Sequence, residues 1–139
     1  MLGKTVYYTG ESGSASRMKL VSNLVLGLNR IALAEGLSYA HAIGVDPAAA
    51  LQVLRNSAAY SRVMDIKGDK MRMSDFSVQA KLSQHLKDDR IILSSAATAG
   101  LEQPLSRTHR ELLEKAESAG YGGLDNSSII QVYRRRDNE

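Results

Sequence analysis

Ser14-Ala-Ser-Arg-Met-Lys19-Leu-Val-Ser-Asn23-Leu-Val-Leu-Gly27-Leu-Asn-Arg-Ile-Ala-Leu-Ala-Glu-Gly36-Leu-Ser-Tyr-Ala-His-Ala-Ile43 is the stretch on which the fold turns. Met18, Val21, Leu24, Val25, Leu28, Ile31, Ala32 and Tyr39 recur at spacings of three and four, the period of an α-helix. Leu20, Leu26, Leu33 and Leu37 widen the apolar stripe, so this helix is expected to be covered on several sides. Thirty residues at the α-helical rise reach about 45 Å, long for a chain of this size. Gly27 and Gly36 lie inside it and suit close helix contact, and Gly44 suits its C-terminal end.

Outward from this helix, the signals stay helical. Asp46-Pro47 reads as an N-cap with proline at the first helical position, opening a helix to about Arg55. A short helix is expected around Ser61–Ile66, with Gly68 as a break. Another is expected from about Val78 to Thr98, stopped by Gly100. Pro104 opens a helix through Ala119 with Gly120 as its stop, and Asp125 caps a last one through Tyr133. Only Lys4–Tyr8 reads as β-type, and nothing in the sequence offers it a partner strand. The expected fold is therefore all-α, a bundle of five or six helices around one long N-terminal helix, with residues 11–133 as the domain and 134–139 as a charged tail.

Composition sets outer bounds. The chain has 139 residues, 43% hydrophobic and 24% charged, with a net charge of +3, which suits one soluble domain and points to neither nucleic acid nor membrane. There is no run of about 18 apolar residues, so no membrane-crossing span is expected. Without cysteine there is neither a disulfide nor a thiolate metal site, and a reducing cytoplasm is the default compartment. His41, His85 and His109 show no metal-ligand spacing and read as structural; no metal is expected.

Three features carry potential chemistry. Lys19 and Asn23, at i and i+4, share a helix face and place an ammonium beside an amide, suited to proton transfer at a substrate oxygen; the plain alternative is an ordinary solvated face. The small residues before them, Gly10, Ser12, Gly13 and Ser14, precede or open a helix whose free N–H groups suit an anion, or form a linker with a serine cap. Lys87-Asp88-Asp89-Arg90 reads as a charged helix face from which a lysine could reach a ligand.

The order of these features resembles the C-terminal helical domain of the β-hydroxyacid dehydrogenase family, which includes 3-hydroxyisobutyrate dehydrogenases and 2-hydroxy-3-oxopropionate reductases, with 6-phosphogluconate dehydrogenase a distant relative. The family motif Gly-x-x-Gly-x-Gly-x-x-x-Lys-x-x-x-Asn is matched by Gly10, Gly13, Lys19 and Asn23, with Ala15 at its third glycine. Ala34-Glu35-Gly36, Gly44-Val45-Asp46, Lys87-Asp88, Gly100 and Pro104 are similar to later family positions. Asp89 stands where the family usually has leucine, Ala80 where many members have phenylalanine, and Phe76 lies a full turn too early to replace it. Ser22 replaces the histidine of 6-phosphogluconate dehydrogenases, which argues against that substrate.

The resemblance implies an NAD- or NADP-dependent oxidoreductase acting on a small hydroxyacid or aldehyde-acid. Lys19 would be the general acid or base and Asn23 its orienting partner. Lys87 would face the cofactor, and Gly10, Ser12, Gly13 and Ser14 would lie near the substrate carboxylate. It further implies an N-terminal Rossmann domain, of which residues 1–10 would be the linking remnant; the chain itself has no βαβ unit with a dinucleotide fingerprint. Alone it is expected to be inactive, and it is expected to form a homodimer. The competing class is a non-catalytic helical interaction module.

Overall fold

A computed structural model describes residues 12–134 of the chain. The expected strand at residues 4–8 and the tail beyond Arg134 lie outside the described residues. Five α-helices run in order: α1 (Ser12–Ala42), α2 (Pro47–Arg55), α3 (Val63–Met73), α4 (Leu82–Thr98) and α5 (Pro104–Ala116). A wide turn at Glu117–Tyr121 follows α5, and a 3₁₀ segment, Asn126–Tyr133, closes the bundle. Among the described residues there is no strand, only one isolated antiparallel bridge between Lys81 and Asp125.

The core is built on the C-terminal half of α1. Gly27, Arg30, Leu33, Ala34, Leu37 and Ala40 form one buried stripe at helical spacing. Against it pack Leu51 of α2, Met64 and Met71 of α3, Leu82 and Leu86 of α4, Leu113 of α5 and Ile129 of the 3₁₀ segment. The N-terminal half differs: Met18, Val21, Val25 and Leu26 are 44–52% exposed. The coverage on several sides expected from the breadth of its stripe is not met within this chain: from Gly27 onward one face is buried while Ala32 and Tyr39 stay exposed, and before Gly27 no described side chain is buried. By length and apolarity the stretch Ala15–Ala42 would also suffice to cross a membrane. α1 is the element against which each of the other four α-helices packs.

Several boundaries follow side-chain chemistry. The Asp46 carboxylate accepts from Ala49 N at 3.1 Å, capping α2 as expected. Gly68 is a correction: it does not break a helix but lies buried within α3, where a Cβ would come within 2.7 Å of the Leu51 methyls. Its lack of a side chain brings α2 and α3 together. The actual stop is Ser74, in the left-handed region at φ 56°. The start of α4 also shifts, from the expected Val78 to Leu82, because Asp125 takes the intervening N–H groups. Its Oδ1 accepts from Gln79 N at 2.8 Å and Ala80 N at 3.0 Å.

Asp125 is fully buried and more than the cap expected of it. Lys67 Nζ donates to both its oxygens at 3.0 Å, and Ser127 donates to Oδ2 through N–H at 3.0 Å and through Oγ at 2.6 Å. Burial alone would raise the Asp125 carboxyl; the bonds from Ser127, Ala80, Gln79 and Lys67 outweigh it and hold the group well below the usual carboxylate range. The ion pair thus ties α3, the 76–81 loop and the 3₁₀ segment together with its acceptors filled.

Candidate functional site

α1 positions the proposed proton-transfer pair. It begins at Ser12, so the N–H groups of its first turn have no carbonyl partner within the helix. Gly13 lies exposed in that turn, and Gly10 is outside the described residues. Lys19 is exposed and Asn23 half-buried, one turn apart on one face, on the half of α1 that the bundle leaves uncovered.

Lys87 lies on α4. The inward stripe of that helix is Leu82, His85, Leu86, Asp89 and Ile92, and Lys87, two residues from both His85 and Asp89, falls on the opposite, exposed face. There it borders a groove of about 440 Å³ with Arg90, Ile91, Ser94, Ser95 and Thr98. The surface of this groove is mostly apolar, and Arg90 beside it pairs with Glu114 at 3.1 Å. Lys19 and Asn23 are thus brought together, whereas Lys87 stands on another element, facing away from the α1–α4 contact.

That contact is polar, and its members were not singled out as a group in the sequence. Arg30 is 7% exposed and its Nη1 donates to His85 Nε2, which places the imidazole proton on Nδ1. His109 of α5 meets His85 edge to face, with ring centroids 6.1 Å apart, and its Nδ1 lies 3.8 Å from Asp89 Oδ1. Gly27 is the slot beneath both rings: a Cβ there would lie 2.9 Å from His109 Cε1 and 3.2 Å from His85 Nε2. Gly36, by contrast, has nothing within 4 Å and makes no such contact.

Burial, reinforced by the Arg30 charge, pushes His85 down to about 3 and His109 down to about 4. Burial pushes Asp89 up to about 6 against the pull of Arg110, and lowers Arg30 to about 10. Two atoms of the cluster, Arg30 Nε and Asp89 Oδ2, are buried without a hydrogen-bond partner. The departure at Asp89 is therefore a buried carboxylate facing His109, not a surface charge. Phe76 packs against the core, and Ala80 is exposed. Among the described residues no three His, Cys, Asp or Glu side chains are placed to hold a metal ion.

Residues 13–133 match the family model described as NAD-binding of NADP-dependent 3-hydroxyisobutyrate dehydrogenase. The chain is 30% identical over 132 residues to the 2-hydroxy-3-oxopropionate reductase of Escherichia coli K12, covering 95% of this chain and 45% of that enzyme. It is 32% identical over 130 residues to the cytokine-like nuclear factor N-PAC of Aedes aegypti, covering 92% of this chain and 23% of that protein. Its fold superposes on the 3-hydroxyisobutyrate dehydrogenase of Salmonella typhimurium with a TM-score of 0.84 at 23% identity, covering 86% of this chain and 42% of that one. The chain thus spans less than half the length of each of these proteins. On the match of residues 13–133, it belongs to the family of NAD-binding domains of NADP-dependent 3-hydroxyisobutyrate dehydrogenases.

Proposed function

We propose that the chain is the helical half of an NAD(P)-dependent oxidoreductase acting on a small β-hydroxyacid or its aldehyde-acid. The observation that carries this reading is the Lys19–Asn23 pair on one face of α1, on a stretch uncovered by the bundle, in a chain of this family. The nicotinamide, when bound, accepts or supplies the hydride. Lys19 gives a proton to the substrate carbonyl oxygen in reduction and takes it from the hydroxyl in oxidation. Asn23 holds the substrate or the ammonium in line, and the open N–H groups at the start of α1, around Ser12, Gly13 and Ser14 with Gly10 before them, receive the substrate carboxylate. Lys87 faces the cofactor.

The N-terminal Rossmann domain, to which residues 1–10 form the link, supplies the dinucleotide fingerprint, and it covers Lys19 together with a second copy of the chain. The exposed apolar residues Met18, Val21, Val25 and Leu26 support a homodimer through this arm.

The test is a fusion of this chain to the nucleotide-binding half of the E. coli 2-hydroxy-3-oxopropionate reductase. The fusion is expected to oxidise NADH or NADPH with 2-hydroxy-3-oxopropionate, and the chain alone is expected to show no turnover. Robust turnover by the chain alone, or a folded but inactive fusion, would reject the proposal.

A second reading, a non-catalytic interaction module, is favoured by two observations: Lys19 is exposed, and one relative bears the name of a nuclear factor. On that reading replacing Lys19 leaves partner binding intact and no fusion turns over.

A further inference from the structure

A second concave region lies about 28 Å along α1 from Lys19. It is a cavity of about 730 Å³ between the end of α1, the start of α2, the end of α3 and the end of the 3₁₀ segment. Leu37, Pro47 and Ile130 give it an apolar wall, and Arg134, exposed, stands on its rim. Its size is that of a small-molecule site.

Arg134 is held in place by neutral groups only. Nη1 donates to Ser74 Oγ at 2.7 Å and to Gln131 Oε1 at 2.5 Å, and Nη2 donates to Met71 O at 2.8 Å. Two of these partners belong to the end of α3, so Arg134 also caps that helix; none of them neutralises its charge. Among the described residues no carboxylate lies within 4 Å of its guanidinium, whereas the other rim arginine, Arg72, is bonded to Asp69 at 2.7 Å. Tyr133, which lines the cavity, donates through Oη to Glu35 at 2.9 Å. Ser74, which orients Arg134, is the one non-glycine described residue with positive φ, so the arginine is fixed by a strained residue. Ser38 on the wall has a buried hydroxyl without a hydrogen-bond partner.

We propose that this cavity binds a small organic carboxylate, its head on Arg134 and its hydrocarbon body against Leu37, Pro47 and Ile130. With both Nη1 hydrogens taken by Ser74 and Gln131, a planar two-oxygen head matches the remaining Nε–Nη2 edge of the guanidinium. The apolar wall selects against small inorganic anions, which have nothing to lay on it. The site is separate from the Lys19 arm and does not depend on the dehydrogenase reading.

The experiment is a titration of the isotope-labelled chain with octanoate, followed by amide chemical shifts, with octanol and inorganic phosphate as controls. Octanoate is expected to move the signals around Leu37–Ala42 and Ile130–Arg134 with a Kd on the order of 1 mM or below, while the controls do not. Arg134→Gln is expected to weaken binding at least about tenfold. Because that variant also loses an α3 cap, Ala42→Trp provides a second arm: Ala42 is exposed and lines the cavity, so the indole fills the space with every Arg134 bond intact. Loss of octanoate binding in a folded Ala42→Trp chain supports the site. No shifts at these residues, equal binding of octanol or phosphate, or octanoate binding unchanged in Ala42→Trp would overturn it.

Discussion

The two halves of α1 have similar apolar content and opposite fates. From Gly27 onward one face of the helix is buried against the other helices and the 3₁₀ segment, while Glu35 and Tyr39 stay exposed; before Gly27 no described side chain is buried, with Leu20, Asn23 and Leu24 half-buried and Val21, Val25 and the proposed acid, Lys19, exposed. One continuous helix thus joins a packed core to an unpacked arm. Apolar periodicity tells that a face will be covered, not by which chain. A proton-transfer residue placed on such an arm is carried by a rigid element while its surroundings come from elsewhere.

The contrast breaks most sharply at Lys19. In the active fusion, Lys19→Met is expected to lower kcat/KM by about 10²–10⁴-fold while the thermal midpoint stays in place. Steady-state kinetics beside a thermal melt check it. A drop in the midpoint with activity retained would make Lys19 a packing residue. In the other half the roles reverse. Leu37→Ala, at 2% exposure, is expected to destabilise the chain by about 2–5 kcal/mol in a denaturant titration. Gly27→Ala forces a methyl against two imidazoles and is expected to cost about 1–3 kcal/mol. A neutral Gly27→Ala would show that His85 and His109 are free to move, and that the α1–α4 contact is not fixed by this slot.

The polar layer at the junction of the halves adds a pH dependence. His85 and His109 titrate lower in the folded chain, at about 3 and about 4, than the ordinary 6.5, so the unfolded chain binds more protons; their contribution is complete above about 6.5 and is lost as pH falls through about 4 for His109 and about 3 for His85. Asp89 acts in the opposite sense: raised to about 6 from 3.8, it favours the folded chain at low pH and loses that contribution as pH rises through 6. Between pH 4 and 6 the net is about one proton taken up on unfolding, roughly 1.4 kcal/mol per pH unit. Asp89→Asn removes the opposing group, and the slope of stability against pH is expected to become about twice as steep. Denaturant midpoints across that range measure it. An unchanged slope would show that Asp89 does not titrate with the layer.

Helix periods and turn residues placed α1, α2, α5 and the all-α class in the sequence, because those signals are local: Asp46-Pro47 caps and starts its helix wherever the chain runs. That Lys19 and Asn23 lie one turn apart was legible for the same reason, both being within one helix. What could not be read was long-range. The start of α4 is set by the carboxylate of Asp125, more than forty residues away, and Gly68 reads as a break until Leu51 is seen against it. Arg30, His85, Asp89 and His109 each occupy an apolar-stripe position, which is a signal of burial. That they meet in one layer depends on three helices docking, which no spacing encodes.

The smallest expected effect on the fold tests what covers the arm. Val25 is 50% exposed, so Val25→Asp is expected to change the stability of the chain's own bundle by no more than about 0.5 kcal/mol. If a second copy lies on that face, the carboxylate is desolvated against apolar side chains, and the dimer dissociation constant is expected to rise at least about tenfold. Sedimentation over a concentration series, paired with denaturant unfolding of the monomer, separates the two effects. A large loss of monomer stability would place Val25 within the bundle's own packing and erase the division of α1 at Gly27. An intact fold with unaltered association would keep the division and remove the homodimer contact from this face, leaving the Rossmann domain as the cover of the Lys19 arm.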